Sequence, residues 1–135
     1  MVKPARVEVE GASPLIVTVT GMEKRPLRPE ELDSPVKGGF LWDYRVKIEN
    51  PTDTGVRLDH LGLNVKNRWG ETWPGDQPLN LRIEGGSEAE VSVQARLASS
   101  DPSIEPGVTG LEILTFLGER DDGGPVSFTV RVPLN

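Results

Sequence analysis

Apolar and polar residues alternate along most of this chain, and glycine, proline, asparagine or aspartate interrupts the alternation at short intervals. A period of two is what a strand shows when one face meets a core and the other meets water. The clearest case is Phe40 to Glu49. Phe40, Trp42, Tyr44, Val46 and Ile48 fall on one face, and Asp43, Arg45, Lys47 and Glu49 on the other. Arg6 to Glu10 alternates around Val7 and Val9, and Leu15 to Met22 reads as a second short strand. A connection is expected from Glu23 to Gly39, with prolines at 26, 29 and 35. Within it Pro29-Glu30-Glu31-Leu32 suits one helical turn, because proline fits the first helical position and the carboxylates fit the N-terminal dipole.

Asn50-Pro51-Thr52-Asp53-Thr54-Gly55 is built of turn formers. Val56 and Leu58 resume the alternation, and Leu61, Leu63 and Val65 continue it. Arg68-Trp69-Gly70 reads as a three-residue hairpin loop with Gly70 in the left-handed position. That register sets Asn67 against Glu71, Lys66 against Thr72 and Val65 against Trp73. Gly85-Gly86-Ser87 reads as a second such loop, setting Ile83 against Ala89, Leu81 against Val91 and Leu79 against Val93. Ala89 to Leu97 completes that strand, and Ala98 to Gly107 follows as a linker. Leu111 to Leu117 is apolar on both faces, as a central strand would be. Glu119 to Pro125 is a polar turn, and Val126, Phe128, Val130 and Val132 alternate to the end. Eight or nine strands at this spacing predict an all-β fold, an immunoglobulin-like antiparallel β-sandwich, as one domain over residues 1–135.

Composition narrows the chemistry. The chain has 15 basic and 21 acidic residues, a net charge of −6. The one basic cluster, Lys24, Arg25 and Arg28, is neutralised by Glu23, Glu30 and Glu31. Nucleic acid and anionic membrane surfaces are therefore not expected partners. With no cysteine, disulfides and thiolate chemistry are excluded. No apolar run approaches the ~18 residues of a membrane span, so membrane insertion is not expected. Met1 to Glu10 alternates instead of building the apolar block of a signal peptide. Two expectations remain open: a cytoplasmic protein, or the mature form of an envelope or extracellular one.

A catalytic site needs a nucleophile, a base and a group that orients it. The single histidine, His60, lies beside Asp59, but neighbours on a strand point to opposite faces, so a surface or turn histidine is expected. One histidine without cysteine also argues against transition metals. Asp121 and Asp122 in Glu119-Arg120-Asp121-Asp122-Gly123-Gly124 form the densest acidic turn. It reads as a solvated hairpin tip, with calcium as the alternative, since EF-hand ligand spacing is absent. No cofactor, and no enzymatic activity, is expected. Trp42, Tyr44 and Trp73 are assigned to the core. Trp69 lies at a turn tip, where it either meets a partner or folds back over the end of the sandwich. With Asn67, Arg68 and Glu71 it forms the candidate binding site.

Val46-Lys47-Ile48-Glu49-Asn50-Pro51-Thr52, then Val56 and Leu58, Leu61-Gly62-Leu63, Gly70-Glu71-Thr72-Trp73, and Gly85-Gly86-Ser87-Glu88 before Val91 and Val93 make a recurring order of features. It resembles bacterial immunoglobulin-like accessory domains of exported lipoproteins and envelope proteins, which often are domains of unknown function. The likeness covers roughly Phe40 to Leu97, and its motifs are structural. It implies a non-catalytic protein-interaction or assembly module, accessory to a larger envelope or multi-protein system. Its long connection, Glu23 to Gly39, would be one docking surface. The alternative is a carbohydrate- or small-ligand-binding module stacking its ligand on Trp69.

Overall fold

The computed structural model describes residues 5–6, 9–10, 14–31, 38–67, 70–71, 75–99 and 109–135. The strands are β1 (Ala5–Arg6), β2 (Val9–Glu10), β3 (Ile16–Pro26), β4 (Gly38–Glu49), β5 (Val56–Asn67), β6 (Gly70–Glu71), β7 (Gly75–Ile83), β8 (Glu88–Ser99), β9 (Gly110–Arg120) and β10 (Pro125–Leu134). Among the described residues, seven strands have nine residues or more and three have two. The expected eight or nine thus become seven long strands with short edge pieces. All pairings are antiparallel, in two packed sheets: β3-β4-β8, and β10-β9-β5-β7. The chain is a β-sandwich.

Alternation places the core. Val17 and Val19 of β3, and Phe40, Trp42, Tyr44, Val46 and Ile48 of β4, face inward and are buried, as are Val91, Val93, Ala95 and Leu97 of β8. The opposing sheet supplies Leu58, Leu61, Ile83, Leu114, Phe116, Phe128, Val130 and Val132. Trp42 is fully buried, and its indole N–H donates to the Asn135 carbonyl at 3.2 Å. Phe116 and Phe128 are cross-strand partners whose rings stack at 5.0 Å.

Several expectations need correcting. The strand expected over Leu15 to Met22 is longer, because β3 runs on to Pro26. A bulge hides the continuity: Thr20 pairs with Arg45 and Glu23 with Asp43, so Gly21 and Met22 together face Tyr44. Gly21 has φ +68°, the left-handed glycine such a bulge uses. The expected helical turn is a single 3-10 turn over Pro29–Glu31, while Leu32 lies outside the described residues.

The first hairpin is one residue tighter than its apolar pattern suggested. Asn67 pairs with Gly70 and Lys66 with Glu71, which leaves two residues, Arg68 and Trp69, as the connection. Two-residue loops match the right-handed strand twist best. Gly70 is therefore a ladder residue, and the argument that set Trp73 against Val65 no longer holds. Trp73 lies outside the described residues.

The second expected hairpin is not a hairpin. β7 pairs with β5 and β8 with β4, in different sheets. The Ser87 N–H donates to the Glu84 carbonyl at 3.0 Å, and Gly86, third in that turn, has φ +76°. Among these four residues only Gly86 has positive φ, so the turn is type II. Type I and II turns splay the strands they join, and here the chain crosses between sheets.

Candidate functional site

Of the residues singled out in the sequence, Arg68 and Trp69 lie outside the described residues, and Asn67 and Glu71 are placed by their backbone pairing alone. Most of the expected docking connection also proves to be structure, since Glu23–Pro26 belongs to β3, Pro29–Glu31 to the 3-10 turn, and Gly38 and Gly39 to β4. His60 is exposed, opposite Leu117 and Pro78. Asp59 bulges out of the β5–β9 ladder and accepts from Arg57 at 2.8 Å. Asp121 is held by both terminal nitrogens of Arg82, at 2.8 and 2.7 Å. That contact lowers its pKa. Asp122 accepts from the Gly124 N–H at 2.9 Å and from Arg120 at 3.1 Å, and its pKa is lowered too. A calcium ion at this turn would have to displace two guanidinium groups. Among the described residues, no three acidic or histidine side chains are grouped to hold a metal.

One group escaped the sequence reading. Glu112 is buried between the sheets, where it accepts the hydroxyl hydrogen of Tyr44 from the opposite sheet. Burial pushes its carboxyl up to about 7, against the lowering effect of the Tyr44 hydrogen bond. Burial likewise lifts the Tyr44 phenol far above its usual range, and the nearby carboxylate adds to the shift. Parity carried the signal: Leu114 and Phe116 point inward, so Glu112 must as well. Its cross-strand neighbours are Val65 and Val132. The pair is a polar contact that bridges the two sheets within the apolar core.

The sheet edges are treated unequally. β1 pairs with the outer edge of β3, and β2 with the outer edge of β10. Residues 5–6 thus pair with one sheet and residues 9–10 with the other. The opposite edges are β7 and β8. β7 is irregular: it carries Pro78, a register shift against β5, and Asn80 at φ +52°. Such features spoil an edge as a template for pairing. β8 shows none of them. It pairs with β4 without a shift from Glu88 to Ser99, and among the described residues it ends the order of its sheet. Glu88, Glu90, Ser92, Gln94 and Arg96 point outward and are exposed.

No protein-family model matches the chain, and no curated protein matches it in sequence. Solved structures do match in fold. The X-ray structure of structural-genomics target SoR45 aligns with a TM-score of 0.60 at 13% identity, over 87% of this chain and 85% of that one. A Bordetella pertussis protein provisionally named ApaA aligns with a TM-score of 0.60 at 16% identity, over 92% and 96%. At these identities the likeness concerns the fold alone.

Proposed function

We propose that this chain is a non-catalytic protein-interaction module of the immunoglobulin-like class that takes its partner by strand addition along β8. The class is supported by strand order. Taking the long strands in sequence, the first, second and fifth form one sheet and the third, fourth, sixth and seventh the other. Immunoglobulin-type sandwiches also group their first, second and fifth strands, with the third, sixth and seventh opposite. Here the fourth strand sits on the second sheet, where variable-type domains place their extra strands.

The observation that carries the interaction reading is the contrast between edges. Two are interrupted by a short paired strand and one is irregular, whereas β8 offers twelve residues in regular register. An added strand gains main-chain hydrogen bonds there, and the outward side chains choose the partner. The test compares proteins captured by the wild-type chain and by the double variant Ser92→Lys/Gln94→Lys, with folding checked by circular dichroism. The reading expects the variant to lose a wild-type partner. It also expects that partner, once purified, to protect β8 amides from hydrogen exchange. Equal capture by both forms, or protection confined to other strands, removes β8 as the docking edge.

A further inference from the structure

Resting on that reading, we infer that the strand added at β8 is the β8 of a second copy, so that the two β3-β4-β8 sheets join into one with six long strands across a two-fold axis at Ser92. Such an axis makes an antiparallel contact in which each residue meets its mirror position. Parity restricts the choice, because inward residues must oppose inward residues and outward must oppose outward. Only registers centred on a residue satisfy this.

Charge selects among them. Centring on Ser92 sets Glu88 of each copy opposite Arg96 of the other, and Glu90 opposite Gln94. On the inward face Val91 meets Val93 and Ala89 meets Ala95. Both charged side chains are exposed. Glu88 lies 3.2 Å from Lys47 of its own sheet, and Arg96 donates to the Glu31 carbonyl. Both contacts lie within the chain's own fold, and among the described residues no strand pairs with the outer edge of β8. Centring on Val91 puts Glu88 opposite Gln94 and pairs no opposite charges. Centring on Val93 keeps one type of charged pair, Glu90 with Arg96, but sets Glu88 against Ala98. The Ser92 register leaves no carboxylate in the paired stretch without a polar or basic partner.

Because the chain has no cysteine, one substitution reports the register. In Ser92→Cys the two thiols face each other across the axis. Opposed strand residues lie about 4.5–5.5 Å apart at Cα, within disulfide reach. Mild oxidation is expected to give a covalent dimer. Gln94→Cys should not cross-link, since its own copy is offset by four residues, about 13 Å. In sedimentation across a dilution series, Glu88→Arg alone and Arg96→Glu alone should each weaken the dimer about tenfold. The double exchange should bring it back towards wild type.

Two results overturn the inference: a wild-type chain that stays monomeric up to about 1 mM, or cross-linking by Gln94→Cys in place of Ser92→Cys. Either leaves the β8 reading intact, because that reading is tested separately, by capture with the lysine variant and by amide protection of β8.

Discussion

Glu112 occupies a position that the strand period reserves for an apolar side chain, and its ionisation should mark the stability of the whole protein. Its carboxyl titrates near 4.5 when solvated and at about 7 in the fold. Between those values the folded state holds a proton that the unfolded chain has released, so this group's contribution falls as pH rises from about 4.5 to about 7 and is level beyond. The loss is on the order of 3 kcal/mol. Glu112→Gln keeps the shape and still accepts from Tyr44, but it cannot ionise. The variant should match wild type near pH 4.5 and exceed it at pH 8; urea midpoints at both pH values check this, and equal midpoints at pH 8 would refute the assignment. Trp42 tests packing instead. Its truncation to Ala should cost about 3–5 kcal/mol. A loss well under 1 kcal/mol would contradict its full burial.

At the level of elements, two loops are tied by one side chain. Asn50 is buried. Its amide N–H groups donate to the carbonyls of Thr54 and Ile83 at 2.8 and 3.2 Å, and its side-chain oxygen accepts from Thr52. Its backbone exchanges hydrogen bonds with Gly86 and Ser87. Asn50→Ala would remove the amide that donates to Thr54 and Ile83 and the oxygen that accepts from Thr52, and should cost about 1–3 kcal/mol by urea unfolding. An unchanged midpoint would show that water replaces the amide. Gly118 gives a sharper case: a Cβ there would lie 1.9 Å from the Arg57 carbonyl oxygen, where the ladder shifts around Asp59. Gly118→Ala should therefore destabilise more than Gly123→Ala, which meets open space and strains only its φ of +90°. Reversed midpoints would argue against the bulge.

These elements also show what the sequence could reveal. The strand from Phe40 to Glu49 and the central strand through Leu114 were legible because burial imposes period two. The bulges at Gly21 and Asp59 were not, since one inserted residue resets parity without any change in composition. The crossing at Gly85-Gly86 was missed for another reason. Two glycines between alternating runs look alike in a hairpin and in a type II turn, and Asn50, far off in sequence, helps to hold the crossing. The candidate site at Trp69 was read from its expected position at a turn tip, whereas β8 stands out only once the sheet order is known.

For the molecule as a whole, the N-terminal segment guards one edge of each sheet. Its described residues pair with β3 and β10, while the described apolar core begins at Leu15. Deleting residues 1–13 should leave the strand signal in circular dichroism and bare two further edges. Concentration-dependent aggregation, seen by light scattering, should then rise above that of the full chain. Unaltered scattering would mean that these short strands protect nothing.

The Asn50 tie also sets an order in time. It links the start of β5, the end of β7 and the start of β8 at one end of the sandwich, so strands from both sheets are fastened together there. Fluctuations that part the sheets should begin at the opposite end and travel towards this fastening, as a hinged clasp opens from its free side. Native-state amide exchange would record that sequence: the Asn50 and Gly86 amides should wait for global unfolding, and those near Phe40 and Leu97 should exchange through a smaller, earlier opening.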